Sequence, residues 1–254
     1  MEGLSLTTFW LALGFTAAAV VLYWGYAFGA RVVLRRLATN GDGGPTVATF
    51  ERLPDSFGRL GSLATSGDKG SHDEEMTTEK LAALREKEQR AAARVLGVSE
   101  CVFLGYPDGF VEDTPEFRGR LVREIRRFKP DVIVTWDPYR LGHNHRDHRV
   151  TGQVALDAAY PLSRSHLYFP EQVEEGLEPH GAREALLAGT DRPNYHVDVS
   201  EFFGKKMQAL RCHKSQIGRY PSAELRKRLR QRLEEVGKEA GMKMAEAFHR
   251  IEWR

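Results

Sequence analysis

"PDVIVTWDPYRLGHNHRDHRV", Pro130 to Val150, reads as a strand, a loop and the start of a helix. "DVIVTW" (Asp131 to Trp136) is rich in β-branched residues and apolar on both faces, as a central parallel strand covered on both sides requires. A helix is expected from about Asp147 to Tyr160. The loop between them holds three histidines and an aspartate in the six positions His143 to His148. In open α/β sheets ligands bind beyond the carboxyl ends of the strands, so this cluster stands where chemistry is done. His145, Asp147 and His148 are the residue types of a site in which one imidazole holds a metal and another works on substrate. A neutral imidazole binds Zn²⁺ at about 2.0–2.1 Å, and a carboxylate on its other nitrogen fixes the tautomer. The spacing alone fits a helix cap plus a surface histidine equally well. The letters "HNH" also occur in a nuclease motif, but there the residues are spread over a hairpin and a helix.

Working outward, helices and strands alternate. Thr77 or Thr78 can cap a helix to about Leu96, where Gly97 ends it, and "CVFLG" (Cys101 to Gly105) follows as a short buried strand. Thr114 before Pro115 and Glu116 is a helix start, with Phe117, Leu121, Ile125 and Phe128 on one face until Pro130. Later come "ALL" near position 185, "YHVDV" (Tyr195 to Val199), a helix from about Ser200 to His213 and one from Ser222 to Gly241. This order predicts an α/β sandwich around a mostly parallel sheet.

Composition agrees with a globular chain: 41% apolar, 28% charged, and 37 basic against 35 acidic residues. That balance offers nothing to attract a polyanion, so no nucleic-acid partner is expected. The basic run "RKRLRQR" (Arg226 to Arg232) has Leu225, Leu229 and Leu233 at four-residue intervals, the pattern of a helix with a solvated charged face. Cys101 and Cys212 form no C-x-x-C pair, which suits a reducing compartment such as the cytoplasm, and Cys101 is expected to be buried.

The N-terminus is different. "FWLALGFTAAAVVLYWGYAFGA" (Phe9 to Ala30) is long enough at about 1.5 Å per residue to span a bilayer core of roughly 30 Å. Arg31, Arg35 and Arg36 follow it, which would leave the bulk of the chain cytoplasmic behind one anchor at residues 1–36. Residues 37–64 lack periodicity and are dense in Gly, Pro and Ser, a linker, and the ordered domain is expected over 65–254.

Six stretches then occur in order: "TSGDKGSHD" (Thr65 to Asp73), "REKEQRAAARVLGV" (Arg85 to Val98), "FLGYPDG" (Phe103 to Gly109), "PDVIVTWDPYR" (Pro130 to Arg140), "HNHRDHRVTGQVALDA" (His143 to Ala158) and "KMQALRCHKSQ" (Lys206 to Gln216). Together they resemble the LmbE/PIG-L family of metal-dependent de-N-acetylases. The resemblance implies a Rossmann-like three-layer fold, a Zn²⁺ or other divalent cofactor, and a small N-acetylated amino-sugar substrate. The family's H-P-D-H motif falls on His145, Arg146, Asp147 and His148. It implies His148 as a metal ligand, His145 as the protonated imidazole facing the tetrahedral oxyanion, and Asp147 as its orienter. Arg85 and Glu88 fill the family's R-x-x-E, whose arginine reaches toward substrate, or are ordinary solvent-facing helix residues. Asp68 and His72 line a sugar pocket or merely turn the chain, and Tyr139 is the nearest tyrosine to a position the family often uses.

One expected motif is missing. The family's A-H-P-D-D, which supplies two metal ligands and the water-activating aspartate, does not occur, and no histidine precedes Ser66. Catalytic zinc generally takes three protein ligands plus water, so turnover is expected to be impaired. The segment before Ser66 is an anchor that replaced the family's first strand and helix, an artefact in front of an authentic enzyme, or a gap filled by a partner. The first of these leaves a membrane-tethered, non-catalytic sugar-binding or scaffold protein as the rival function.

Overall fold

The computed structural model describes residues 60–71, 73–142 and 145–253, and the backbone pairing of two short strands before them. Those two, β1 (Val33–Arg36) and β2 (Ala48–Glu51), run antiparallel. The stretch Phe9 to Ala30, read as an anchor, lies outside the described residues. Among the described residues no helix is long and apolar enough to cross a membrane.

Strand β3 (Leu60–Thr65) pairs in parallel with β4 (Glu100–Tyr106). The sequence reading put residues 60–64 in a linker, and the structure corrects this end of it. "GSLATS" (Gly61 to Ser66) is buried throughout, so no apolar–polar alternation marks it as a strand, and its Gly and Ser carry low β-propensity. Between β3 and β4 runs helix α1 (Thr78–Leu96). The Thr77 hydroxyl caps it by accepting from Lys80 N at 3.3 Å, and Gly97 closes it in the left-handed region at φ 75°.

Helix α2 (Pro115–Phe128) starts at its Thr114 cap as expected and leads into β5 (Val132–Trp136). Helix α3 (Arg146–Ala159) follows the histidine loop. Strand β6 (Glu184–Ala188) pairs in parallel with β5. After β7 (Tyr195–Asp198) come helices α4 (Phe203–Leu210) and α5 (Ser222–Glu239), and finally β8 (Ala245–Glu252).

Sequence reading leaves β8 unassigned, because "AEAFHRIE" carries four charged or imidazole side chains among eight residues. It nevertheless lies inside the sheet, antiparallel to both β6 and β7, in the order β5-β6-β8-β7. Its charges are paired: Glu246 with Lys206 of α4, and Arg250 with Glu184 of β6. The expected mostly parallel sheet is therefore a mixed one, still within an α/β fold.

Helices cover both faces of this sheet. Along β6, Ala185 and Leu187 pack against Leu156 of α3, while Leu186 and Ala188 meet Tyr195, Val197 and Phe248 on the other side. Phe117, Leu121 and Ile125 of α2 and Val154 and Ala158 of α3 enclose Ala64, Leu104 and Ile133, joining the β3–β4 pair to β5 in one core. Leu225, Leu229 and Leu233 of α5 pack on Phe203 and Met207 of α4, so the arginines between them are the solvated face, as read from the sequence. Cys101 is half-buried rather than enclosed.

Candidate active site

Three stretches supply the site, each following the carboxyl end of a strand: Ser66–Gly70 after β3, Pro107–Val111 after β4, and Asp137–Gly142 with His145 after β5. His145 is the N-cap of α3, and its Nδ1 accepts the Asp147 N–H at 3.2 Å. An Nδ1 that accepts carries no proton, so the ring's proton is on Nε2, which corrects the doubly protonated imidazole that the resemblance implied. The resemblance made Asp147 the orienter of His145. In the structure that orienting bond comes from the Asp147 backbone, while its fully buried carboxylate accepts Gly109 N at 2.6 Å and Val111 N at 3.2 Å. Asp147 thus ties the start of α3 to the turn after β4.

That turn presents Asp108. Gly109 adopts φ 85°, which lets the chain reverse so that the 109 and 111 amides face Asp147. The Asp108 N–H is fixed by Asp68 Oδ1 at 2.9 Å. Burial, and then the neighbouring Asp147 and Asp68 carboxylates, push the Asp108 carboxyl up to about 6. His148, one turn into α3, stacks flat on Trp136 with ring centroids 4.2 Å apart and planes 1° from parallel. Its centroid lies 5.2 Å from that of His145. Burial, then His145 and Arg140, lower it to about 3, so it is neutral with an available lone pair. Its Nε2 is buried without a hydrogen-bond partner among the described residues.

Arg85 and Glu88 are buried, against the solvent-facing alternative. Arg85 Nη1 donates to the carbonyls of Gly67 and, at 2.8 Å, Lys69, gripping the loop that carries Asp68. Glu88 accepts Ser215 N at 2.8 Å and Ser215 Oγ at 2.7 Å, pinning the "CHKSQ" stretch to α1. Asp68 also pairs with Lys69 at 3.0 Å. Tyr139 is exposed, on a turn held by its own N–H to Asp137 Oδ1 at 2.9 Å. His72 and His143 lie outside the described residues.

The sequence reading assigned no role to Asp108, Trp136 or His213. Asp108 stood inside a quoted motif, "FLGYPDG", without a partner to suggest its use. His213 is buried, and that burial, with Arg85 nearby, lowers it to about 4.

Would this donor set suit the divalent ion that the resemblance implies? Asp108, His145 and Asp147 each place a ligand atom within 4.8 Å of the others, and His148 adds a buried imidazole nitrogen lacking any other partner. Mixed nitrogen and carboxylate donors suit Zn²⁺ and similar ions, so the residues present fit such a group. The resemblance names His148 as ligand whereas the converging trio omits it. Both belong to one cluster at the mouth of β5.

Comparison with known proteins agrees. The family described as PIG-L, GlcNAc-PI de-N-acetylase, matches residues 60–159. The chain is 31% identical over 170 residues to diacetylchitobiose deacetylase of Thermococcus kodakarensis, covering 66% of this chain and 63% of that protein. It is 27% identical over 183 residues to 1D-myo-inositol 2-acetamido-2-deoxy-alpha-D-glucopyranoside deacetylase of a Mycobacterium species, covering 58% of each. The matched part thus spans less than two thirds of these relatives. Among solved structures, N,N'-diacetylchitobiose deacetylase of Pyrococcus horikoshii superposes with a TM-score of 0.71 at 29% identity, over 76% of this chain and 72% of that one. A 4-carboxy-2-hydroxymuconate hydratase of Pseudomonas putida shares the fold at TM-score 0.63 and 21% identity, over 78% of this chain and 85% of that one, so the fold does not dictate one reaction. From motif order, site and similarity together, residues 60–159 match the PIG-L (LmbE-like) family, and the chain is similar to its deacetylases.

Proposed function

We propose that this protein is a metal-dependent de-N-acetylase that hydrolyses the acetamide of an N-acetylglucosamine-type sugar. The observation that carries the reading is the convergence of Asp108, His145 and Asp147 beyond the carboxyl end of β5, with the buried, unpartnered Nε2 of His148 on the ring beside His145. The deacetylases similar to this chain act, by their names, on N-acetylated amino sugars.

His148 is the residue we assign to the metal, with Asp108 as the adjacent oxygen donor. When bound, a divalent ion polarises the amide carbonyl and acidifies water. His145 presents its Nε2 proton toward the oxygen that gains negative charge, and the Asp147 N–H holds the ring in that orientation. A donor so placed is worth about 3–4 kcal/mol in acyl-transfer sites. Asp68 and Arg85 support the reaction from behind. Asp68 anchors the amide of Asp108, and Arg85 anchors the loop of Asp68. Tyr139 we place at the entrance, where it can meet the sugar. Because the A-H-P-D-D motif is absent, we expect turnover well below that of a family member carrying it.

The test is release of free amine and acetate from N,N'-diacetylchitobiose by the full chain with added Zn²⁺. Slow release that His145→Ala abolishes supports the reading. Stoichiometric zinc binding with no release from any acetylated amino sugar would falsify it. That result would favour the rival, a non-catalytic sugar-binding protein, which the missing motif motivates.

A further inference from the structure

A phenylalanine stands in solvent beside the reacting groups. Phe110 is 67% exposed, although Val111 next to it is fully buried. It cannot drift from the site, because the amides on either side of it, at Gly109 and Val111, are both bonded to the Asp147 carboxylate. The Lys69 ammonium lies 5.6 Å from the ring centroid and is tied to Asp68, which in turn holds the Asp108 amide. Ring, ammonium and the two aspartates therefore form one braced unit. A cation covers one face of the ring and the remaining surface is open to solvent.

The loop after β5 adds two more exposed apolar side chains close in sequence to His145, Tyr139 at 51% and Leu141 at 79%. Single exposed apolar residues are ordinary. Here all three sit on the two loops that carry Asp108 and His145.

Resting on the deacetylase reading, we propose that Phe110 is the stacking platform for a second sugar ring, the one joined to the N-acetylglucosamine whose amide reacts. The apolar C–H face of a pyranose lies against an aromatic plane. Lys69 fixes that plane from behind, leaving the opposite face for the sugar. The preferred substrate is then a disaccharide or longer N-acetylated glycoside. A free monosaccharide fills the inner site and leaves Phe110 uncovered.

Calorimetric titration of the full chain with N,N'-diacetylchitobiose and with N-acetylglucosamine reads this without turnover. Phe110→Ala is expected to weaken the disaccharide about fivefold, the scale of one aromatic stacking contact, and to leave the monosaccharide unchanged. Phe110→Trp, which retains a flat ring, should keep the wild-type preference. The proposal is overturned by equal loss on both sugars, by no loss on either, by loss of the preference in Phe110→Trp, or by a wild-type chain that does not bind the disaccharide. The two readings fail separately. Phe110-dependent binding without acetate release sinks the deacetylase alone, whereas acetate release indifferent to Phe110 sinks the platform alone.

Discussion

His148 has its imidazole face against Trp136 and its Nε2 in a buried position with nothing to bond. A buried polar atom without a partner costs roughly 1–3 kcal/mol, which ligation would recover. His148→Ala should therefore lower zinc content, measured by elemental analysis, at least tenfold, while the fold by circular dichroism is kept. Asp147 is different in kind. Its Asn variant can still accept one amide, but Asp147→Ala orphans the Gly109 and Val111 N–H groups together. Urea denaturation should find Asp147→Ala destabilised by about 2–4 kcal/mol, since the orphaned Val111 donor is buried and the Gly109 donor half-buried. Of these residues, His145, Asp147 and His148 were legible, because a local run of chemistry-bearing types is visible in one dimension. Asp108 was not. Its importance comes from Asp68, forty residues away in sequence, and from Asp147, thirty-nine away on the other side, and single letters do not carry such pairings.

At the level of elements, α3 can bring His148 to β5 only because Gly152 lies on its inner face. A Cβ there would overlap the Trp136 carbonyl oxygen, which is backbone and cannot step aside. Gly in a helix ordinarily costs about 1 kcal/mol against Ala. Gly152→Ala is thus expected to lower the melting temperature rather than raise it, and to disturb the Trp136–His148 stack, which tryptophan fluorescence would report. The limits of α1 and α2 were well read from the sequence, whereas the helix expected from Ser200 to His213 is an α-helix only over Phe203–Leu210. Thr77, Gly97, Thr114 and Pro115 act through the backbone within one turn, so their effect is local. The strands β3 and β8 were not, for opposite reasons. One is too small and uniformly buried to alternate, and the other carries charges whose partners lie on α4 and β6.

For the whole molecule, protonation sets the pH range of stability. His148 and His213 have folded-state values depressed to about 3 and about 4. The unfolded chain takes up those protons first, so their stabilisation is complete above roughly pH 6.5 and is lost as pH falls through the folded values. Asp108, raised to about 6, acts in the opposite sense: its contribution is present below about pH 4 and lost as pH rises to about 6. In EDTA the melting temperature should fall from pH 6.5 to 4 with a net slope near one proton, about 1.4 kcal/mol per pH unit. Asp108→Asn should steepen that fall and raise stability at pH 7. A wild-type melting temperature flat across this range would reject the assignment. The buried Lys206–Glu246 pair makes a further global test, because it joins α4 to the central strand β8. Lys206→Met should cost about 3–5 kcal/mol by stranding a buried carboxylate, and adding Glu246→Leu should restore most of it.

The sequence alone determined the capped helices α1 and α2, the strand leading into the histidine loop, the solvated face of α5 and the match to the PIG-L family over residues 60–159. All of these rest on neighbours within a turn or on ordered local motifs. Only the tertiary structure decided that the sheet is mixed, that Arg85 and Glu88 are interior braces, and that Asp108 joins His145 and Asp147. Those outcomes depend on which distant groups meet. Burial gives a charge its partner and its protonation state only after the chain has closed around it.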